Sequence, residues 1–247
     1  MKPLVVVLLV ASVLFVGGET SAVRRVEKRD DADDKVYFIG VTTDNKVIYR
    51  EEDGKWVKSA HNSCCVLAVA AVAGGVVVGV GTDHQLYEWK SRGGVWSWTG
   101  PLPNSCCVKD ISVTNSGLLL GINLENRLVM RSSATSPWFV APKSACCVTS
   151  VENDPTGLLF GTATNGKVRM RDNLFRGSWQ RVSINGPTLR DLATHQGDTY
   201  GLSEDGCKIY HLEKDEMEWG DDINDGTCLV SISILVNPEY VEGVLEE

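Results

Sequence analysis

The five residues NSCCV at 62–66 return unchanged at 104–108, and a near copy, SACCV, stands at 144–148. Each copy keeps a fixed distance from a tryptophan: Trp56, Trp98 and Trp138 precede Cys64, Cys106 and Cys146 by eight residues. The same offset leads from Trp179 to Pro187 and from Trp219 to Thr227, so the slot persists where the paired cysteines do not. A third marker runs in phase, a glycine closing the runs YFIG, VVVG, LLLG, LLFG and DTYG at Gly40, Gly79, Gly121, Gly161 and Gly201. Three markers in step over five copies define a repeat of about 41 residues.

Within each unit the apolar runs are short, rich in Val, Leu, Ile and aromatics, and separated by Gly, Asn and Asp, the pattern of strands and turns. TNGK at 164–167 and EDGC at 204–207 carry the Asn-Gly and Asp-Gly pairs that tolerate positive φ in tight hairpins. In the third copy CCVTSVE reads as strand a, GLLFGTA as b, KVRMR as c, and the segment around Trp179 as d. Four strands per 41-residue unit make a propeller blade. The chain opens on a b strand, KVYFIG, and its last unit ends on an a strand, CLVSISILV. An all-β, five-bladed β-propeller is therefore predicted, with one blade built from the C-terminal a strand and the N-terminal b, c and d strands. That arrangement leaves no exposed edge, whereas a solenoid of the same units leaves two and wants capping repeats.

The units GLLFGTATNGKVRMR (157–171) and KVYFIGVTTDNKVIYR (35–50), each followed by a Trp and an a strand, resemble the repeats of tachylectin and tectonin propellers. The resemblance spans roughly residues 30–236 and implies a secreted, multivalent lectin of the innate-immune kind. It further implies sites between neighbouring blades and N-acetylated amino sugars as ligands. The paired cysteines depart from that pattern.

The start of the chain points to the same compartment. Lys2 precedes an apolar run from Leu4 to Val16, and Thr20, Ser21 and Ala22 follow, the build of a signal peptide over 1–22. The run is too short for a membrane anchor. The dibasic Lys28-Arg29 pair marks 23–29 as a propeptide, leaving 30–247 as one propeller domain; a solvated charged linker is the other reading of 23–29. The whole chain has net charge −8, and losing the five basic and two acidic residues of 1–29 leaves −11. Such a surface disfavours nucleic acid and anionic membranes as partners. Eight cysteines without a CxxC spacing, in a secreted chain, read as disulfide partners.

Two groups of residues are candidates for ligand contact. The b–c turns carry Asp44, Asp83, Glu125, Asn165 and Asp205 at one equivalent position, suited to sugar hydroxyls and equally to turn formation. The c strands end at Arg50, Trp89, Arg131, Arg171 and His211, which are able to stack or donate. The five periodic Trp read as packing between blades, while Trp89 and Trp96, without counterparts elsewhere, are expected to be exposed. Strands a and c run the same way in a blade, which puts the d–a loop with its cysteines on the same disc face as the b–c turn.

Cys64-Cys65, Cys106-Cys107 and Cys146-Cys147 admit vicinal disulfides, the form favoured, or staples between adjacent blades, since successive side chains on a strand point to opposite faces. Cys207 and Cys228 then pair with each other or link a partner chain.

No HExxH, Gly-x-Ser-x-Gly or phosphate loop is present, and the four histidines have no metal spacing, so neither enzyme, metal nor cofactor is expected. The expected function is binding of glycans or glycoproteins without catalysis. The alternatives are a structural or protein-docking propeller, such as a targeting subunit of a larger assembly, and a carrier of a small apolar ligand in pockets lined by vicinal disulfides.

Overall fold

The computed structural model describes residues 36–51, 54–58, 63–71, 76–92, 95–141, 147–154, 156–175, 177–182, 186–195, 197–213, 218–223 and 226–236. The expected signal peptide and propeptide lie outside them. Twenty strands form five antiparallel four-stranded sheets. Blade 1 takes β20 (Leu229–Val236) as its inner strand, followed by β1 (Val36–Thr42), β2 (Val47–Glu51) and β3 (Val57–Lys58). Blade 2 comprises β4 (Val66–Ala71), β5 (Val77–Gly81), β6 (Leu86–Arg92) and β7 (Val95–Thr99). Blade 3 comprises β8 (Val108–Val113), β9 (Leu119–Asn123), β10 (Leu128–Arg131) and β11 (Phe139–Val140). Blade 4 comprises β12 (Glu152–Asn153), β13 (Leu159–Thr162), β14 (Val168–Arg171) and β15 (Gln180–Arg181). Blade 5 comprises β16 (Leu189–His195), β17 (Asp198–Ser203), β18 (Ile209–Glu213) and β19 (Glu218–Ile223). The fold is the five-bladed propeller read from the repeat, and β20 closes it against β1 from Val36↔Val236 to Thr42↔Leu229.

The periodic Trp and Gly are two halves of one contact. A Cβ placed on Gly40, Gly79, Gly121, Gly161 or Gly201 meets the indole of Trp56, Trp98, Trp138, Trp179 or Trp219 of the same blade at 2.6–3.2 Å. The ring of the outer strand thus lies on bare backbone of strand b, and each packs within an interblade cluster of Val, Leu, Ile and Ala. In blade 2 the added methyl stands 2.6 Å from Trp98 Cη2. Gly79→Ala is therefore expected to cost about 2–3 kcal/mol by overpacking. An unchanged denaturant midpoint would contradict this packing.

The b–c turns repeat just as strictly. The residue after each candidate acceptor has positive φ: Asn45 (62°), His84 (63°), Asn126 (60°), Gly166 (70°) and Gly206 (79°). Its carbonyl accepts from the amide opening the next blade's inner strand, donated by Cys65, Val108, Cys147, Leu189 and Leu229 at 2.8, 3.2, 2.7, 2.8 and 2.8 Å. Every turn is thereby tied to the slot of the following blade. At Gly206 no other residue fits, because a Cβ would fall 2.0 Å from the Leu229 carbonyl oxygen.

A second belt of ties runs nearer the axis. Asp110 Oδ2 accepts from Val151 N at 2.8 Å, and Asp191 Oδ2 from Ile232 N at 2.9 Å, each 41 residues on and one blade round. Thr194 Oγ1 donates to Asn153 O, and Ala71 N to Ser233 Oγ. Burial drives the Asp110 and Asp191 carboxyls up, Asp110 further because Asp191 lies near it, and Asp191 reaches about 6. Burial also lifts Glu152 to about 8, with the Asp191 charge adding to the effect. No helix among the described residues is long and apolar enough to cross a membrane.

Candidate functional site

Two vicinal disulfides join Cys64 to Cys65 and Cys106 to Cys107, their Cα atoms 3.7 and 3.4 Å apart. Cys147 is also bridged, to a partner outside the described residues, where Cys146 lies. Cys207 and Cys228 pair with each other, joining the start of β18 in blade 5 to the start of β20 in blade 1. No cysteine among the described residues is free. Disulfides of this kind fit an extracellular or otherwise oxidising setting.

The Cys64–Cys65 slot is held by its neighbours on both sides. Cys65 N donates to Asn45 O of blade 1, and Cys65 O accepts from Thr82 N of blade 2 at 3.0 Å. Ser63 O accepts from Trp98 Nε1 at 3.3 Å, as Ser105 O does from Trp138 Nε1 at 3.0 Å in blade 3. In blades 2 and 3 the Trp therefore fixes the residue ahead of the double cysteine as well as packing the blade. Beside the disulfide opens a cavity of about 270 Å³ lined by Cys64, Cys65, Thr82, Asp83, Tyr87 and Trp98.

Asp83 is preorganised there. Its Oδ1 accepts from Gln85 N at 3.1 Å, and its Oδ2 from Gln85 Nε2 at 3.0 Å and Tyr87 OH at 2.8 Å. Desolvation pushes the carboxyl up, but the bonds from Tyr87 and Gln85 together outweigh it and hold Asp83 below the usual carboxylate range. The same bond, with desolvation behind it, raises the Tyr87 phenol. A carboxylate that takes three donors keeps about one lone-pair direction free, and the phenol oxygen keeps its own. The pocket therefore presents acceptors over a sulfur and indole wall, with no cation among its lining residues.

The other turn acceptors share this face but have different surroundings. Asp44 bonds Lys46 and Thr42 at 2.6 and 2.5 Å, and these bonds bring its carboxyl down to about 2. Glu125 pairs with Arg127 at 3.9 Å. Asn165 Oδ1 accepts from Lys167 N, and Asp205 Oδ1 from Ser203 Oγ and Cys207 N. Turn chemistry occupies each of them, and the five slots are not copies.

The c-strand ends lie on the other side of the disc. Arg131 stands six residues beyond Glu125, and a strand advances about 3.3 Å per residue, so the two groups do not converge. Arg131 and Arg171 are fully buried. Arg131 donates to the carbonyls of Ser133, Pro103 and Ala134, with Trp138 beneath its guanidinium at 5.2 Å. Arg171 donates to the carbonyls of Asn173 and Leu174. They fasten the c–d loops and are closed to a ligand.

Trp89 corrects the sequence expectation of an exposed aromatic: it is 2 % exposed and meets Trp98 edge-on at 4.9 Å. It occupies in blade 2 the register position that arginine takes in blades 1, 3 and 4. Arg50 is half-buried. The side chain of Trp96 lies outside the described residues. His211 stacks on Tyr200 at 4.9 Å and stands 3.7 Å from Asp198. By register its position is not that of Arg50 and Arg171: Gly201 pairs with Tyr210 and Thr199 with Leu212, as Gly161 pairs with Arg169 and Leu159 with Arg171. The extra residue Cys207 in the b–c turn shifts β18 by one, so Leu212 is the equivalent. Tyr87 was the pocket residue missing from the sequence reading; its signal is the pairing of Tyr87 with Gly79.

No family model matches the chain, and no curated protein does. Among solved structures it is similar to a chain in the crystal structure of a nidogen/laminin complex, at 10% identity over 81% of this chain and 98% of that one, with a TM-score of 0.56. A protein of unknown function from Bacteroides caccae aligns at 12% identity over 78% and 73% of the two chains, with a TM-score of 0.47. At such identities the first likeness shows the propeller fold alone.

Proposed function

We propose that this propeller is a secreted, non-enzymatic carbohydrate-binding protein of the tachylectin and tectonin type. The Cys64–Cys65 slot of blade 2 is its principal site for a neutral sugar. The observation that carries this reading is the cavity itself. Asp83 and Tyr87 offer acceptors to sugar hydroxyls or an amide N–H, while the disulfide and Trp98 offer an apolar surface to a ring face or an acetyl methyl. A ligand pocket of this size, mostly apolar with a few convergent polar groups, suits one sugar residue better than an extended peptide.

The test is a glycan array followed by titration of the best neutral hit. Asp83→Ala is expected to weaken binding at least about tenfold, and Tyr87→Phe by about three- to tenfold, since each removes a hydrogen bond in a partly desolvated site. Binding to no glycan, or affinity indifferent to both substitutions, would sink the reading. A second reading, docking of a protein partner, is favoured by one observation: β11 on the rim of blade 3 presents Phe139 and Val140, 57% and 48% exposed. An empty array together with a partner released by Phe139→Asp would replace the first reading with the second.

A further inference from the structure

Every inner strand carries one extra residue at the same place. The ladder passes from Val66 to Ala68, from Val108 to Asp110, from Leu189 to Asp191 and from Leu229 to Ser231, with no partner for the residue between. Blade 4 does the same: Val148 faces Ala163 and Glu152 faces Phe160, four steps against three, and Thr149 N donates to Thr162 O at 2.7 Å. A β-bulge leaves its extra residue unpaired and re-aims the side chain. The extra residues are Leu67, Lys109, Thr149, Arg190 and Val230, each half-buried between two buried neighbours. All five line one cavity of about 400 Å³, and only the hub of the ring brings five inner strands to one place. Asn45 and Glu204 of the b–c turns border it, so it opens on the turn face.

The order of the five round the ring sorts them. Leu67 and Val230 belong to the neighbouring blades 2 and 1 and make one apolar side. Lys109, Thr149 and Arg190 come from blades 3, 4 and 5 and set two cations on the other side, in a chain of net charge −8. The fold uses little of either cation. Of the five donors of its guanidinium, Arg190 spends one, Nη1 to Leu229 O at 3.4 Å, and Lys109 Nζ donates to Asn126 Oδ1. Neither forms an ion pair among the described residues. Asp110 and Asp191 also border the cavity, but their Oδ2 atoms accept from Val151 N and Ile232 N of the following blades. Burial holds the Lys109 ammonium below the ordinary lysine value even with the Asp110 charge near it, so an incoming anion relieves a cost that the empty cavity leaves standing.

We propose that the hub cavity is a binding site for a small amphiphilic carboxylate, with Arg190 and Lys109 receiving the carboxylate and Leu67 and Val230 covering the apolar body. The planar guanidinium matches two carboxylate oxygens, and a mostly pre-formed cavity with a few convergent polar groups is the usual build of a small-molecule site. This site is separate from the blade 2 slot and stands independently of the carbohydrate reading.

The experiment titrates the full chain by calorimetry with octanoate, 1-octanol and acetate. Octanoate should bind at least about tenfold more tightly than either of the others, because octanol lacks the charge-assisted hydrogen bonds and acetate lacks the apolar body. Arg190→Gln should weaken octanoate about tenfold and bring it level with octanol, and Lys109→Gln should weaken it severalfold. Leu67→Ser should weaken octanoate and leave acetate unchanged. Glu204→Gln removes an exposed carboxylate from the mouth and should tighten octanoate severalfold, a gain that no loss of folding can imitate. Asp83→Asn should leave octanoate binding as it is, and thermal melts establish that each variant is folded. Absence of octanoate binding in wild type, or binding indifferent to both Arg190→Gln and Glu204→Gln, overturns the proposal. Octanol binding as tightly as octanoate overturns the cationic half of the site, and acetate binding as tightly overturns the apolar half.

Discussion

Replacing Cys207 and Cys228 together by serine is expected to lower the stability of the ring by about 3 kcal/mol, because the bridge closes a 21-residue loop in the unfolded chain. In a chain of this size that is a fall in melting temperature of roughly 10 °C. The bond joins blade 5 to blade 1, so the same loss is expected wherever reductant reaches it. The vicinal pairs give the opposite outcome. Cys64 and Cys65 are adjacent in sequence and their bridge closes no loop, so Cys64→Ser/Cys65→Ser should stay within about 0.5 kcal/mol of wild type. That variant should lose ligand instead, since the sulfur wall of the blade 2 cavity goes with it. Equal destabilisation by the two double substitutions would show that the slot cysteines fasten the ring after all.

The second large effect concerns pH. Asp191 titrates near 6 and Glu152 near 8 in the folded ring, against ordinary values of 3.8 and 4.5, and Asp110 is displaced in the same direction. Through that interval the folded protein holds protons that the unfolded chain has already released, so stability falls as pH rises and is highest in acid, above the range where other carboxylates protonate. Lys109 and Arg190, beside the two aspartates on β8 and β16, offset only part of the cost. Denaturant melts at pH 5 and pH 8 are expected to differ by roughly 2–3 kcal/mol, discounted because Glu152 keeps some contact with solvent. Glu152→Gln should flatten the profile and stabilise the protein at pH 8. A variant that melts with the wild-type pH dependence would remove Glu152 from the account.

The fold was legible because its determinants are periodic. A Trp that must lie on a Gly, and a turn residue that must reach the next blade's first amide, cannot drift in spacing without breaking a contact, so they mark the sequence at every turn of the ring. The candidate site was legible only in part, because the residues that distinguish one blade from another are not periodic. Trp89 reads as an exposed oddity in a list of c-strand ends; three-dimensional register shows it filling space that Arg131 and Arg171 fill elsewhere. Those arginines read as donors for a ligand, yet they are buried and donate to loop carbonyls on the far face. A one-residue insertion at Cys207 was enough to misplace His211. The Asp110 and Asp191 ties could have been found from two aspartates recurring two units apart, each between a cation and an apolar residue, in VKDISV and LRDLATH.

Closure of the ring also fixes an order of events during synthesis. Val36 pairs with Val236, 200 residues further along, so β1 leaves the ribosome long before the strand that covers it exists. At ordinary elongation rates the interval is roughly 10–40 s. Throughout it Tyr37, Phe38 and Ile39, which the finished ring buries, belong to an open sheet edge. A chain stalled or cut before Leu229 has no smaller ring to fall back on, because the missing strand is an inner one. It is left as an apolar edge seeking any other strand, and aggregation is its expected fate.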